Sequence, residues 1–206
     1  THGGSGTSNL AYGLVAYEFE KIDSSYRSSI SVQSSLVIHP INAFGSEEQK
    51  NKYLPQLIKG EKIGCFGLTE SEAGSDPASM KTSFKKTKDG YFLNGSKNWI
   101  TNAPIADIFI IWAIEENKDH KSIKGFIIEK NTEGLNTSTI ENKTSLKISP
   151  TGQIILNNVF VPNNLCLENT EGWKSVFSCL NKARFGISWG VLGSASECWL
   201  IAKDYV

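Results

Sequence analysis

The sequence has no hydrophobic run long enough to cross a bilayer. The longest, Ile108-Phe109-Ile110-Ile111-Trp112-Ala113-Ile114, falls far short of the roughly 20 residues that a spanning helix needs, so a soluble chain is predicted. Net charge is also missing: Lys and Arg total 21, as do Asp and Glu, which leaves no field to gather nucleic acid or an anionic membrane. No C-x-x-C pair occurs among Cys65, Cys166, Cys179 and Cys198, and buried free thiols in a reducing compartment are expected. His2, His39 and His120 lie far apart with no carboxylate at ligand spacing, which argues against a metal. There is no G-x-G-x-x-G, P-loop or G-x-S-x-G, so nicotinamide, ATP and serine-hydrolase chemistry lack support. The opening Thr1-His2-Gly3-Gly4-Ser5-Gly6 is similar to an esterase oxyanion loop, but no nucleophile elbow accompanies it. Initiator methionine, signal peptide and transit peptide are absent too, and the 206 residues read as a piece of something longer, able to bury one sizeable core or two modest ones.

What is present changes period twice. Residues 10–22 carry Ala11, Leu14, Val15, Phe19 and Ile22 on one face of a predicted amphipathic helix. The serine-rich stretch 24–35 is threaded by Tyr26, Ile30, Val32, Leu36, Val37 and Ile38 and reads as a second, buried helix ended by Pro40. Ser46-Glu47-Glu48-Gln49 is a capping box that starts a third, stopped by Gly60. From residue 62 the pattern predicts strands over 63–68, 80–86, 91–93, 99–101, 108–114, 123–129 and 154–161, with turns at Asp89-Gly90, Asn94-Gly95, Glu133-Gly134 and Thr151-Gly152. Lacking helices between them, these strands should form an antiparallel barrel or sandwich. Beyond Glu171 a helical stripe returns through Trp173, Val176, Phe177, Leu180, Ala183, Ile187, Val191, Ala195 and Ala202. Gly186, Gly190 and Gly193 in it predict a close neighbour or a kink. The expected organisation is α+β: a helical segment over 1–60, a β-domain over 61–165 and the start of a helical bundle over 166–206.

Two stretches invite a chemical reading. Gly64-Cys65-Phe66-Gly67-Leu68 runs into the polar loop Thr69-Glu70-Ser71-Glu72-Ala73-Gly74-Ser75-Asp76-Pro77, which offers N–H and hydroxyl groups at a sheet edge. Further on, Lys97-Asn98-Trp99-Ile100-Thr101-Asn102 sets an aromatic plate beside another hydroxyl. Plate and hydroxyls suit a ring with polar edges; two β-turns, a core tryptophan and solvated threonines are the plainer alternative.

Taken together, Gly-Cys-Phe-Gly-Leu-Thr-Glu-x-x-Ala-Gly-Ser-Asp-Pro and Leu-Asn-Gly-x-Lys-x-Trp-Ile-Thr-Asn resemble the flavin-binding middle domain of the acyl-CoA dehydrogenase family, with wording most similar to its glutaryl-CoA dehydrogenase branch. The resemblance runs from about Leu10 to Val206 and implies FAD as cofactor. It implies that Phe66, Gly67, Leu68, Thr69, Glu70, Ser71, Glu72, Ala73, Gly74 and Ser75 contact the flavin ring and phosphate edge, with Ser75 also touching acyl-CoA. Trp99, Ile100 and Thr101 would line the other side of the ring. Tyr26-Arg27-Ser28, with 31–37 after it, is similar to the segment in which an arginine and a serine receive the distal carboxylate of the acyl chain; a lone arginine is otherwise most often surface charge. Leu180, Asn181, Lys182, Ala183, Arg184, Phe185, Gly186 and Ile187 match the helix that lies against CoA, the alternative for Arg184 being an intrahelical ion pair. Ser71-Glu72 and Lys182 depart from the family's usual residues at those points.

The family's general base is a glutamate that matches nothing here and is expected beyond Val206, so no catalytic residue is assigned. The resemblance further implies oxidation and decarboxylation of glutaryl-CoA to crotonyl-CoA, electrons passed to an electron-transfer flavoprotein, a homotetramer, and a bacterial cytoplasm or, in a eukaryote, the mitochondrial matrix. Alternatives are a dehydrogenase or oxidase of monocarboxylic acyl-CoA in which Arg27 is structural, and a non-catalytic module that binds FAD or acyl-CoA weakly.

Overall fold

Helices open the chain and their ends are set by side chains. The computed structural model describes residues 2–118 and 122–206; Thr1 and His120, weighed above, lie outside the described residues. Ser8 caps α1 (Asn9–Ile22), its hydroxyl accepting from the Ala11 N–H, and Asp23 caps α2 (Ser24–Ser31) in the same way. The chain continues as a π-helical stretch, Val32–Ile38, and then α3 (His39–Phe44). Pro40 therefore does not end the helix. The His39 N–H reaches back to the Ser34 carbonyl across a widened turn, which makes room for a ring that lacks a donor. In α4 (Glu47–Ile58) the Ser46 and Gln49 side chains cap reciprocally. Gly60, at φ +74°, ends that helix.

The seven strands are β1 (Gly64–Gly67), β2 (Ser83–Lys86), β3 (Gly90–Thr101), β4 (Ile108–Glu115), β5 (Ile123–Glu129), β6 (Leu135–Thr139) and β7 (Thr151–Pro162). Their order is β1-β4-β2-β3-β7-β6, with β5 on the other edge of β4. Antiparallel pairing holds for β2–β3, β3–β7, β4–β5 and β6–β7, but β1–β4 and β2–β4 are parallel, so the sheet is mixed. No α-helix joins the parallel strands: the chain goes from β1 to β4 by way of one 3-10 turn, Pro77–Ser79, and the β2–β3 hairpin. Asn94-Gly95 is not a turn but continues β3 opposite a bulge whose extra residue lies in β7 between Leu156 and Val159, and Gly95 at φ +142° passes close to Thr82. Thr151-Gly152 likewise begins β7 rather than turning. Strand β6 was not anticipated, because Leu-Asn-Thr-Ser-Thr at the sheet edge buries no alternate face.

Strand β4 shows why its apolar run is continuous. Ile108, Ile110 and Trp112 pack toward the helices with Val37, Ile41, Tyr53 and Leu57. Phe109, Ile111 and Ala113 fill the curl of the sheet with Phe84, Tyr91, Phe126 and Ile154. Both faces are covered, so both must be apolar. Gln33 couples the layers: its Nε2 donates to the Leu57 carbonyl at 3.0 Å and the Lys62 carbonyl at 2.9 Å, and its Oε1 accepts from the Gly64 N–H at 2.8 Å. Cys65, Cys166 and Cys179 are buried and free, and Cys198 is exposed. Burial pushes the Cys179 thiol up to about 12. Among the described residues no helix is long and apolar enough to cross a membrane.

Helix α5 (Trp173–Tyr205) buries Val176, Cys179, Ala183, Gly186, Gly190 and Gly193, spaced by three and four, which joins Val176 and Ala183 of the expected stripe to the three glycines. Phe177, Ile187 and Val191 of the expected stripe are exposed, and so are Leu14, Val15, Phe19 and Ile22 of α1, which instead buries Gly13, Ala16 and Glu20. The close neighbour expected at the glycines is α1. Gly186 lies under Tyr12, Gly190 under Glu20 and Arg27, and Gly193 against the Tyr17 backbone; Gly13 makes room for Trp189 in return.

A Cβ on Gly193 would meet the Tyr17 carbonyl rather than a movable side chain. Gly193→Ala is accordingly expected to cost about 1–3 kcal/mol in denaturant unfolding. Gly74→Ala, where a Cβ meets nothing within 4 Å, should remain within about 0.5 kcal/mol of the parent. Equal midpoints for the two variants would contradict the helix contact.

Candidate functional site

The two polar stretches meet, and a buried ion pair joins them. Lys97 lies on the inward register of β3 with Tyr91 and Leu93 and is fully buried. Its Nζ donates to Glu70 Oε1 at 2.8 Å and to the Leu68 carbonyl at 3.0 Å. The Glu70 carboxylate also accepts from the Lys81 N–H at 2.7 Å and the Thr82 N–H at 3.0 Å. Gly67 leaves the gap through which the lysine stem passes: a Cβ there would sit 3.3 Å from Lys97 Cγ. Burial pulls the Lys97 ammonium down to about 8 against the charge and hydrogen bond of Glu70. Burial alone would raise the Glu70 carboxyl, but the Lys97 charge and the hydrogen bonds from Lys81, Lys97 and Thr82 outweigh it and hold the group below its ordinary value.

Asn98 then ties the strand to the loop. Its N–H donates to the Thr69 carbonyl at 2.9 Å, its Nδ2 to Ser71 Oγ at 3.1 Å, and its Oδ1 accepts from the Trp99 N–H at 3.0 Å. Trp99 sits at φ +60°, within a register shift, and the residue is 58% exposed. A bulky residue in the left-handed region is strained at a cost of about 1–3 kcal/mol, and an exposed indole recovers little of that by packing. Trp99 is therefore not a core tryptophan.

Of the residues expected at a flavin, Gly74 and Ser75 are exposed beside Trp99's partner loop, Ser71 is exposed, and Thr69 and Thr101 are half-buried. Phe66, Gly67, Leu68, Ala73 and Ile100 are buried and leave only backbone to a ligand. Glu70 is occupied by Lys97, and Glu72 pairs with Lys81 on the surface. An exposed tryptophan, with exposed Gly74 and Ser75 on the loop tied to its strand, fits a flat polar ring such as the flavin the resemblance implies. Lys97 and Asn98 escaped notice as positioning residues, although the alternation from Tyr91 and Leu93 turns position 97 inward.

The expected substrate residues fall into two groups. Arg27 Nε pairs with Glu20, and the two side chains are only 12% and 5% exposed. Among the described residues the Arg27 Nη groups and the Ser28 hydroxyl have no partner. On α5, Asn181, Lys182 and Phe185 border a cleft of about 540 Å³ with Tyr12, Ser34 and His39. Burial, with Lys182 nearby, lowers the His39 imidazole to about 4. Ala183 and Gly186 turn into the helix contact, Leu180 is half-buried, and Arg184 and Ile187 are exposed outside that cleft. Arg184 donates to Asn181 Oδ1 at 2.8 Å, so it makes no intrahelical ion pair.

Because the Glu70 carboxyl is lowered on folding, its stabilisation is present above the ordinary carboxylate value of 4.5 and is lost as pH falls through the lowered folded value. Lys97→Met would strand that charge. It should cost about 3–5 kcal/mol in urea unfolding at pH 7 and less at pH 4, where the unpaired carboxyl takes up a proton. A loss that does not change between these pH values would contradict the pairing.

The chain matches the acyl-CoA dehydrogenase N-terminal domain over residues 1–61 and the acyl-CoA dehydrogenase middle domain over residues 65–159. It is 38% identical over 206 residues to an acyl-CoA dehydrogenase of Bacillus subtilis, covering 99% of this chain and 54% of the relative. It is 36% identical to a short-chain specific acyl-CoA dehydrogenase of Clostridium acetobutylicum, covering 100% of this chain and 55% of that one. A solved glutaryl-CoA dehydrogenase from Mycobacterium smegmatis, in complex with FADH2, superposes with TM-score 0.92 at 44% identity over 96% of this chain and 50% of its own. The chain thus spans about half the length of the curated relatives it matches. Sequence match, fold and the joined loop and strand agree: the chain belongs to the acyl-CoA dehydrogenase family, of which it carries the N-terminal and middle domains.

Proposed function

We propose that these residues serve an FAD-dependent acyl-CoA dehydrogenase acting on glutaryl-CoA, which loses two hydrogens and carbon dioxide to give crotonyl-CoA. One observation carries the substrate. The Arg27 fork is nearly enclosed, its Nε edge is held by Glu20, and its Nη groups and the Ser28 hydroxyl beside it are free among the described residues. A guanidinium oriented on one edge and open on the other suits a carboxylate, and such a charge-assisted bond is worth about 1.5–3 kcal/mol. A monocarboxylic acyl chain would bring it no counter-charge.

Thr69, Ser71, Gly74, Ser75, Trp99 and Thr101 would hold FAD by side chain or exposed backbone, and Phe66, Gly67, Leu68, Ala73 and Ile100 would shape the surface beneath them. FAD, when bound, supplies the two-electron oxidant for the β-hydrogen. Glu70 and Glu72 orient the loop rather than meet the ligand. Asn181, Lys182, Arg184, Phe185 and Ile187 give α5 an exposed polar and apolar wall for CoA. No general base is assigned: Glu70 is committed to Lys97, Glu72 to Lys81 and Glu20 to Arg27. Electron-transfer flavoprotein as acceptor, a homotetramer, and a bacterial cytoplasm or mitochondrial matrix belong to the same proposal.

Glu20 favours a second reading. A pair that is already neutral needs no substrate carboxylate, which leaves a short monocarboxylic acyl-CoA as substrate of a dehydrogenase or oxidase. Turnover by the longest form of the protein its gene encodes separates the two. Glutaryl-CoA should be preferred to butyryl-CoA, and Arg27→Ala should lose at least about 10-fold more activity on glutaryl-CoA than on butyryl-CoA, in line with a lost charge-assisted bond. Arg27→Lys should retain part of it. A preference for butyryl-CoA unaffected by Arg27→Ala would overturn the dicarboxylate reading.

A further inference from the structure

Three observations converge on the join between the loop and β3. The Glu70 carboxylate gathers three donors from two separate places: Lys97 on β3, and the adjacent Lys81 and Thr82 N–H groups on the lead into β2. Lys97 returns to the end of β1 through the Leu68 carbonyl. One residue on, Asn98 binds the loop at Thr69 and Ser71 and orients the Trp99 backbone at the same time. None of these contacts uses Gly74, Ser75 or the indole of Trp99, which stay outside. A pair that only stabilised the core would not need to sit where the loop, β1, β2 and β3 come together, since an apolar pair of the same volume would serve as well.

We propose that Glu70 and Lys97 are positioning residues which, through Asn98, fix the separation between the 69–76 loop and the Trp99 plate and so preform one ligand surface. The identity of the ligand as FAD rests on the function proposed above; the positioning does not. The device is rigid because every hydrogen-bonding atom of the carboxylate and the ammonium faces a partner in a buried setting, where the alternative is an unpaired charge. Removing both charges relieves that cost and leaves the fold, but releases the loop from the strand.

The test uses the same full-length form. Lys97→Met/Glu70→Gln is expected to melt within a few degrees of the parent yet to bind FAD at least 10-fold more weakly. Amide hydrogen exchange should rise at least 10-fold at Ala73 and Asn98, whose N–H groups bond to Glu70 and Thr69, and stay unchanged at Ile110 in β4. Asn98→Ala, a half-buried change that leaves the ion pair intact, should weaken FAD to a similar degree with an unchanged melting temperature. Parent-like FAD affinity and exchange in the double variant overturn the proposal; if that variant does not fold, parent-like affinity in Asn98→Ala overturns it. A parent that binds no FAD overturns the assigned function instead, and the exchange at Ala73 and Asn98 then decides the positioning alone.

Discussion

A lysine with no exposed surface must find a carboxylate and further acceptors or be excluded from the interior. Lys97 finds Glu70 and the Leu68 carbonyl, and that requirement organises much of the β-domain. With Ile111, the lysine stem leaves little room for more than a glycine at position 67, and the requirement explains a glutamate at the head of a loop whose residues 71, 72, 75 and 76 are exposed. It also explains how two stretches about 30 residues apart in sequence come to share one surface. The strain at Trp99 is tolerated because its neighbours on both sides are held, Asn98 by the loop and Ile100 by the core.

The helical part obeys a different constraint, close approach of backbones. Small residues on α5 let α1 come near enough for Gly190 to lie beneath the Glu20–Arg27 pair. The pair is thus packed against a glycine of that helix, with the Nε edge of the guanidinium turned to Glu20. The ion pair that joins loop to strand and the glycine contact that seats Arg27 against α5 are built by independent means, one electrostatic and one steric.

Element identity was legible wherever a single local cause decided it. The capping box at Ser46, the stop at Gly60 and the continuous apolar run of β4 each follow from nearby residues, and each is present. What was illegible depended on partners. Nothing local announces that Asn94-Gly95 continues the strand, because only pairing with β7, which carries the bulge opposite, keeps β3 going through it. Pro40 reads as a terminator until the π-helical turn ahead of it is seen. On α1, and on α5 beyond Ala183, periodicity found the helices but named the wrong faces: the buried contact is made largely of glycine and alanine, which an apolar count weighs least. The parallel pairing of β1 and β2 with β4 reflects the path of the chain around the hairpin and has no signature in any strand. At the site, the residue types were visible from sequence, whereas Glu20 as partner of Arg27 and Glu70 as partner of Lys97 were not, since both pairs cross between elements.

The central claim is that the exposed Trp99 and the polar loop form a ready surface for a flat ring. Titrating the protein with FAD while recording tryptophan emission tests it most directly, with Trp99→Leu as the comparison among the five tryptophans. The account predicts saturable quenching in the parent that is largely lost in Trp99→Leu. Quenching of equal size and midpoint in both would contradict it.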